Sequence, residues 1–303
     1  MQTIKTVEEM RAAMEVLRGQ PAASNNGKIH KARTVGLVPT MGALHEGHLS
    51  LVRAAKESCD AVVVSIFVNP TQFGPRVDYD RYPRNVEADC ALLEQEGVDA
   101  LFLPDAADMY PKNAATYIDT GRIGDRLDGA SRPGHFRGVA TVVAKLFHIV
   151  DPDRAYFGQK DAAQVAVLRR MVQDLHFRTE LVVCPIVRES DGLAMSSRNG
   201  YLMAEEREQA RVLHEALRVI QTRFAEGERE SERLISAGLY VMAYEPGVRI
   251  DYLKVVNPRT LEDVQDVQGR ALVAVAAFVG GTRLIDNVML EEPILSEAPP
   301  ARA

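Results

Sequence analysis

Hydrophobic residues recur at two different spacings along the first part of this chain. Apolar stripes with three- and four-residue spacing predict helices, and the first stripe follows a capping box formed by Thr6 and Glu9. Short continuous apolar runs predict strands that are buried on both faces, and the run from 61 to 68 is the richest in β-branched residues. The predicted helices cover 7–17, 49–59, 86–97, 139–150 and 165–175, and the predicted strands cover 35–38, 61–68, 100–103, 155–157 and 181–184.

Apolar strands that alternate with helices are typical of an α/β fold in which a parallel sheet is covered on both sides. The sequence therefore predicts a doubly wound parallel sheet over residues 1–186, with 19–31 as a loop. The pattern changes after Val187, where two helical faces precede three closely spaced strand-like segments at 251–256, 271–279 and 283–290. We interpret residues 187–291 as a smaller C-terminal α+β domain and residues 292–303, which are rich in Pro and Ala, as a mobile tail.

The composition and the net charge limit the kinds of ligand and surface that we expect the protein to bind. The formal net charge of -6 provides no general basic field for nucleic acid or an anionic membrane, so a polyanionic ligand needs a local cluster of donors. The cysteines, Cys59, Cys90 and Cys184, lie far apart in apolar stretches, and we expect them to be reduced core thiols. The N-terminus has acidic residues where a signal peptide is apolar, and the longest apolar run, 271–279, is shorter than the ~20 residues of a membrane span. We expect a soluble cytoplasmic protein.

The first candidate site is the turn that ends at His48, between the predicted strand at 35–38 and the next helix. Gly42 and Gly47 let the main chain approach a ligand closely, and a helix start offers free N–H groups. His45 and His48 lie on one side of the first helical turn, where each imidazole is able to donate to a phosphate oxygen. Alternatively, each is a satisfied polar group. A zinc site is less well supported, because the metalloprotease pattern places its histidines four residues apart.

A second candidate site follows the strand at 61–68. Asn69 and Gln72 are amides in a loop at the carboxyl end of that strand, where they are able to bind hydroxyl and carboxylate groups. Ordinary turn chemistry before Pro70 is an equally good interpretation of the same residues.

A third candidate, Gly158 to Gln164, again joins a strand end to a helix start. Asp161 with Gln164 fits an N-terminal capping box, and Lys160 is able to hold a phosphate as a point charge. The motif alone does not decide between a structural and a functional role.

The fourth candidate lies after the last strand of the predicted sheet. Met195, Ser196, Ser197 and Arg198 provide two hydroxyls and a guanidinium in a polar loop, which we expect to be mobile. Such a group suits a polyphosphate, and a solvated loop is the structural alternative.

Taken together, the His-x-Gly-His turn and the Met-Ser motif are similar to the nucleotidylyl-transferase superfamily, whose Rossmann-like members attack the α-phosphate of ATP and release pyrophosphate. More closely, the chain resembles the pantoate–β-alanine ligase family over about residues 1–291. The stretches that carry this resemblance are VPTMGALHEGH at 38–48, SIFVNPTQF at 65–73, RPGHFRGV at 132–139, YFGQKD at 156–161 and RESDGLAMSSRN at 188–199.

The resemblance implies a reaction, cofactors and an assembly. Pantoate, β-alanine and ATP are converted to pantothenate, AMP and pyrophosphate through a pantoyl adenylate. It also implies Mg²⁺, with Asp161 as a candidate ligand, and a homodimer. We expect the small C-terminal domain to act as a lid that keeps water from the adenylate.

The resemblance also implies a role for each site residue. ATP is expected to contact Val187 and the stretch from Gly158 to Asp161 with its ribose and base. Its phosphates are expected near His45, Lys160, Ser196, Arg198 and His48, which is the family's proton donor. Pantoate or β-alanine is expected at Gln72, Gln164, Asn69 and His135. The remaining ATP-site residues are Met41, Gly42, Ala43, Leu44, Glu46, Gly47, Gln159, Met195 and Ser197.

One departure from the family pattern is visible, since Ala163 stands where a first glutamine is usual, which places a supporting hydrogen bond in doubt. Residues 74–78 and Gln159 fall where the family is variable. The alternatives are an adenylyltransferase that acts on a phosphorylated cofactor precursor, a nucleotide-binding module without catalysis, and, more distantly, a zinc hydrolase.

Overall fold

A computed structural model of the chain describes residues 1–19, 32–74, 79–80 and 82–292. Most of the predicted loop at 19–31, residues 75–78 of the variable loop and the predicted mobile tail from 293 onward lie outside the described residues. No helix in the described part of the chain is long and apolar enough to span a membrane.

The N-terminal part forms the predicted parallel sheet. Its six strands have the order β1-β4-β3-β2-β5-β6, and every observed pairing between them is parallel. β1 was not predicted, because three residues with one buried side chain carry too little pattern. The strands are β1 (Gln2–Ile4), β2 (Val35–Thr40), β3 (Ala61–Ile66), β4 (Ala100–Phe102), β5 (Arg154–Gly158) and β6 (Glu180–Cys184).

Helices cover the faces of this sheet, and two of them begin earlier than predicted. The helix predicted from residue 49 begins at Glu46, and the one predicted from residue 139 begins at His135, so His48 and His135 both lie in first turns. Polar first turns hide the start of a helix from the hydrophobic pattern. The helices are α1 (Val7–Arg18), α2 (Glu46–Ser58), α3 (Val86–Gln95), α4 (Ala106–Met109), α5 (Asp128–Ser131), α6 (His135–Val150) and α7 (Ala162–Asp174).

The C-terminal part is the predicted smaller α+β unit. The strands β7 (Val248–Val256), β8 (Arg270–Val279) and β9 (Thr282–Glu291) form an antiparallel sheet in sequence order. The helices are α8 (Ala204–Ala210), α9 (Val212–Ala225) and α10 (Ser231–Met242). Leu217 and Ile220 of α9 are fully buried in the same apolar cluster as Val273 and Val275 of β8. The predicted fold class is confirmed, a parallel α/β unit with a small α+β unit behind it.

The two units also share apolar packing. Leu272 and Ala274 of β8 belong to the hydrophobic cluster that contains α6 and α7. Because burial of apolar area stabilises a contact in proportion to that area, this packing holds the small sheet against the unit that contains α6 and α7. The boundary at Val187 and the lid role of the small unit stay predictions.

Two expectations about the core are wrong. Of the three cysteines, all of them free thiols, only Cys184 is buried, and Cys59 and Cys90 are half-buried. Leu175, predicted as the last apolar position of α7, lies just past that helix and is 53% exposed. Leu175 matches the helical spacing only by chance, because α7 ends at Asp174 and the residue that follows does not face the core.

One close approach between elements shapes the site. Gly138 of α6 packs against the turn after β3, and a Cβ at this position would lie 2.4 Å from the carbonyl oxygen of Thr71 and 2.7 Å from the nitrogen of Gln72. Such a contact forces the main chain apart, since neither neighbour is the tip of a flexible side chain.

We therefore expect Gly138→Ala to lower the free energy of unfolding by about 1–3 kcal/mol, since overpacking displaces main chain. Urea denaturation measures this loss. Gly200→Ala is the matched control, because a Cβ at Gly200 meets nothing within 4 Å. Equal stability of the Gly138→Ala variant and the wild type would contradict the close packing.

Candidate active site

Three strand-to-helix turns converge at the carboxyl edge of the parallel sheet. The turns follow β3, β2 and β5, which are three consecutive strands of the sheet. Beside them are two cavities of about 150 and 310 Å³, both lined by Asp161 and Gln164. A ligand with two parts is therefore able to occupy both cavities across these shared side chains.

The smaller cavity combines apolar walls with two amides that are able to meet a ligand. Gln72 and Gln164 line it together with Asn69, whose carboxamide is engaged by protein groups. The carboxamide of Gln164 has no hydrogen-bond partner among the described residues, so it is available to a ligand. The other lining residues include Met41, Phe67, Val139, Val142, Val143, Leu146 and Phe157.

Asn69 orients the side chain of Gln72 while it also forms the turn hydrogen bonds that were its predicted structural role. The Asn69 Oδ1 accepts from the Thr71 N–H at 3.2 Å, and its Nδ2 donates to the Gln72 Oε1 at 3.0 Å and to the Gly138 carbonyl at 3.1 Å. Because the oxygen of Gln72 is thus engaged, its NH₂ group is directed toward Met41 Sδ, which lies 3.1 Å away. The turn that Asn69 stabilises therefore also orients the Gln72 carboxamide that is available to a ligand.

The larger cavity is lined by three cations that have no acidic partner. Arg132, Lys160 and Arg198 all face it, and no carboxylate of the described residues lies within 4 Å of their nitrogens. Burial and the charge of Arg198 lower the pKa of Arg132 to about 10, which indicates that the two guanidinium groups are close. Asp128 and Asp161 line the same cavity and act on Arg132 in the opposite direction, without a direct ion pair. Cations that face one cavity without direct ion pairs favour a polyanionic ligand.

The two histidines of the first motif cap the start of α2. His45 is the N-cap residue, and its Nδ1 accepts from the Gly47 N–H at 3.1 Å, while the Nδ1 of His48 accepts from the His45 N–H at 3.4 Å. A neutral ring that accepts at Nδ1 carries its proton on Nε2. Each imidazole therefore combines the structural role with a free Nε2–H donor, and the ring centroids are 4.1 Å apart.

Both imidazoles are uncharged near neutral pH. Burial, followed by the charge of Lys160, lowers the pKa of His45 to about 4. Burial, with His45 and Lys160, lowers the pKa of His48 to about 3. These effects also show that the ammonium group after β5 lies close to the imidazoles after β2, as the sequence motifs predicted.

The glycines of this turn are required because neighbouring groups leave no room for a Cβ, as well as for the close approach of a ligand. A Cβ on Gly47 would lie 2.9 Å from the His45 ring, so the imidazole cap depends on glycine there. Gly42 has a φ of 81° and would place a Cβ 2.9 Å from an oxygen of Asp89. Neither position tolerates a side chain without displacing a neighbour.

Part of the first motif is engaged elsewhere, contrary to the prediction. The N–H groups of Ala43 and Leu44 donate to the buried carboxylate of Asp89 at 2.9 and 2.8 Å, so they are not free for a ligand. The exposed carboxylate of Glu46 forms an ion pair with Arg53 on the same helix. The turn is therefore fixed by protein contacts, and its ligand donors are the imidazoles.

The predicted capping box at the third motif is wrong. Asp161 is the N-cap of α7, but its side chain makes no capping hydrogen bond. A 3-10 turn over Gln159–Asp161 runs directly into the helix, so the carboxylate of Asp161 points to the cavities instead. Gln159 also departs from the prediction, because its amide donates to Asn287 of β9 at 3.0 Å and lies in neither cavity.

The fourth motif is an ordered structure where a polar loop was predicted. A small hairpin leads into it, in which the Met195 N–H donates to the Val187 carbonyl at 3.0 Å. A 3-10 turn over Ser197–Tyr201 follows, and Ser196 caps it by accepting from the Arg198 N–H at 3.2 Å. Ser196 and Arg198 line the larger cavity, whereas Val187 does not.

His135, at the start of α6, lines the larger cavity. Its Nδ1 lies 2.9 Å from the carbonyl oxygen of Gln72, so this nitrogen is the donor, and its Nε2 lies 3.4 Å from Arg132. Burial and the charge of Arg132 lower the pKa of His135 to about 4. The neutral ring thus contacts Arg132 at the larger cavity, and its other nitrogen is held by Gln72.

Several contributors were not assigned a role from the sequence. Arg132 had a usable signal, since it stands three residues before His135 in a quoted motif. Tyr82, whose hydroxyl lies 3.4 Å from the Ser197 oxygen, had none. Asp89 and Asn287 act through tertiary contacts at sequence distances that no local pattern reports. Among the described residues, no group of three or more His, Cys, Asp or Glu side chains is arranged to hold a metal ion.

The fold and the site define a Rossmann-like α/β protein with a ligand site at the carboxyl edge of its sheet. A sequence profile of the family described as pantoate-beta-alanine ligase matches residues 2–289. The pantothenate synthetase of Acidobacterium capsulatum is 66% identical over 292 residues, which are 96% of this chain and 98% of that protein. This chain therefore belongs to the pantoate–β-alanine ligase family.

Solved structures agree with this assignment. The crystal structure of pantothenate synthetase from Thermus thermophilus has a TM-score of 0.87 and 47% identity, and the match covers 95% of this chain and 99% of that one. The pantoate-beta-alanine ligase of Francisella tularensis, described as complexed with beta-gamma ATP and beta-alanine, has a TM-score of 0.74 and 34% identity, covering 95% and 97%.

The neutral imidazoles predict how stability changes with pH. An unfolded histidine binds a proton below about pH 6.5, whereas the folded His48 stays neutral down to about pH 3. Protons therefore favour the unfolded chain over this range, and stability falls as the pH is lowered.

We expect His48→Gln to remove roughly 1–2 kcal/mol of the stability that the wild type loses between pH 7 and pH 5, because Gln does not titrate. Urea denaturation at the two pH values measures the difference. His176→Asn, at an exposed turn with a φ of 53°, is the control. If the wild type and His48→Gln lost the same stability, the buried neutral state of His48 would be wrong.

Proposed function

We propose that this chain condenses pantoate with β-alanine at the expense of ATP, with a pantoyl adenylate as intermediate. The observation that carries the proposal is the pair of adjoining cavities: one is apolar with two amides, and the other has three unpaired cations. Family membership supplies the substrates, and the geometry supplies a place for each of them.

Pantoate fits the smaller cavity. Its gem-dimethyl carbon matches the walls formed by Phe67, Val142 and Val143. Its hydroxyls and carboxylate match the amides of Gln72 and Gln164, which are fixed groups in a mostly apolar pocket. Since Gln164 lies between the two cavities, the carboxylate is placed toward the phosphates.

The triphosphate fits the larger cavity and extends toward the imidazole of His48, which lines the smaller cavity. The pantoate carboxylate attacks the α-phosphorus, and the bond to the bridging oxygen of pyrophosphate breaks. Lys160 and Arg198 stabilise the charge that develops on the phosphate oxygens, and the Nε2–H groups of His45 and His48 donate to them. The low pKa of His48 favours a hydrogen-bond donor there over a proton donor.

β-Alanine then enters the larger cavity. Its neutral amine attacks the acyl carbon of the adenylate, the bond to the AMP oxygen breaks, and the proton that the amine loses passes to water. The guanidinium of Arg132, held by His135, offers a partner for the β-alanine carboxylate.

Mg²⁺ fits this site through one carboxylate and the phosphates. Asp161 lines both cavities, and its side chain has no hydrogen-bond partner among the described residues. A single carboxylate with phosphate oxygens and water is the usual ligand set of Mg²⁺. When bound, the ion would neutralise charge on the phosphate oxygens.

The adenylyltransferase alternative is not favoured by the family assignment. The homodimer, which rests on the resemblance, stays a prediction, as do the cytoplasmic location and the C-terminal lid.

We expect two variants to impair different steps, because the two cavities are proposed to hold different substrates. Lys160→Ala should slow pantoate-dependent pyrophosphate release at least about 100-fold, by analogy with the loss of one electrostatic donor. Gln72→Ala should raise the KM for pantoate while ATP binding stays near normal. A coupled pyrophosphate assay and isothermal titration with an ATP analogue measure the two effects.

The exposed Lys112→Ala and Gln173→Ala are the matched controls and should behave like the wild type. Full adenylation activity in Lys160→Ala would remove Lys160 from the phosphate site. Weakened ATP binding with an unchanged KM for pantoate in Gln72→Ala would reverse the assignment of the cavities.

A further inference from the structure

A buried asparagine of the small sheet holds the turn that carries Lys160. The Asn287 Nδ2 donates to the main-chain carbonyls of Gln159 and Lys160 at 3.0 and 2.9 Å, and its Oδ1 accepts from the Gln159 side chain at 3.0 Å. Asn287 is 2% exposed. Its carboxamide is thus fully used, and all of its bonds go to one turn of the other unit.

The preceding residue of the same strand holds the segment that carries Arg198. The Asp286 carboxylate is 3% exposed and accepts two bonds from Arg188, at 2.6 and 3.0 Å. Arg188 also donates to the Gly192 carbonyl at 3.1 Å, within the hairpin that leads to Arg198. Successive side chains of a strand point to opposite faces, so β9 reaches both segments at once.

This arrangement matters because Lys160 and Arg198 face the same cavity from separate segments of the chain. No carboxylate of the described residues lies within ion-pairing distance of either cation, so no ion pair fixes its position. A turn whose carbonyls are bonded to Asn287 keeps its ammonium in place, since the carbonyls of Gln159 and Lys160 would lose this partner if the turn moved.

We propose that Asn287 is a positioning residue for catalysis, which sets the place of the Lys160 ammonium relative to the α-phosphate. The proposal rests on the proposed function and adds to it a residue of the small sheet that touches no substrate. A displacement of about 1 Å at such a group costs about 100-fold in rate. The alternative is that Asn287 only stabilises the contact between the two units.

The test is a double-variant cycle on Asn287 and Lys160. Asn287→Leu removes the amide and keeps the branching of the side chain at Cγ. We expect it to lower the rate of pantoate-dependent pyrophosphate release about 10- to 100-fold, with the KM for pantoate within about twofold of the wild type. In a Lys160→Ala background the same substitution should cost less than about threefold, because it acts through a group that is no longer present.

Thermal unfolding separates this role from general destabilisation. Val288→Ala, on the same strand, should lower Tm and leave the rate unchanged. If Asn287→Leu slowed both backgrounds by the same factor, or kept the wild-type rate, the positioning role would be overturned. Should Asn287→Leu fail to fold, Asn287→Asp keeps the shape and the acceptor but loses both donors, and the same cycle applies.

Titration with a non-hydrolysable ATP analogue tests the role of Asn287 independently of the proposed reaction, because it measures binding and not turnover. If the wild type released no pyrophosphate with pantoate, the proposed function would fail on that result alone. The Asn287 assignment still predicts weaker analogue binding in Asn287→Leu and no further weakening when Lys160 is already Ala. Equal weakening in both backgrounds would overturn it.

Discussion

The structure depends on positive charges that are held together without acidic partners. Lys160, Arg132 and Arg198 face one cavity, although each lies on a different segment of the chain. The repulsion between Arg132 and Arg198 opposes folding, and the surrounding packing and hydrogen bonds must offset it. A bound triphosphate removes this repulsion, so the arrangement has a low cost only when the ligand is present. The site is therefore specified by the charge of its ligand as much as by its shape.

The neutral histidines follow from the same constraint. A protonated imidazole beside the ammonium of Lys160 would add to the repulsion, and burial with this neighbour lowers the pKa of both His45 and His48. Their Nδ1 atoms are occupied by main-chain N–H groups, which leaves one donor on each ring. In the proposed function, the helix start therefore offers oriented dipoles to the phosphates, while the cations of the larger cavity provide the charge.

The sequence predicted most of the fold, because parallel strands buried on both faces and amphipathic helices carry strong patterns. It also placed the histidine, amide, lysine and serine–arginine motifs at strand ends, where the topology brings them together. It failed where a residue acts across the fold, as Asp89 does on the first turn and Asn287 on the Lys160 turn. The capping box assigned to Asp161 failed because a local pattern does not report the 3-10 turn that precedes it.

The most direct test of this account is a crystal structure of the protein with pantoate and an α,β-methylene analogue of ATP. The account predicts pantoate between Gln72 and Gln164, and the α-phosphate within hydrogen-bond distance of the His48 Nε2 and the Lys160 ammonium. It also predicts the outer phosphates against Arg198. A triphosphate bound away from these groups, or pantoate in the cation-lined cavity, would contradict it.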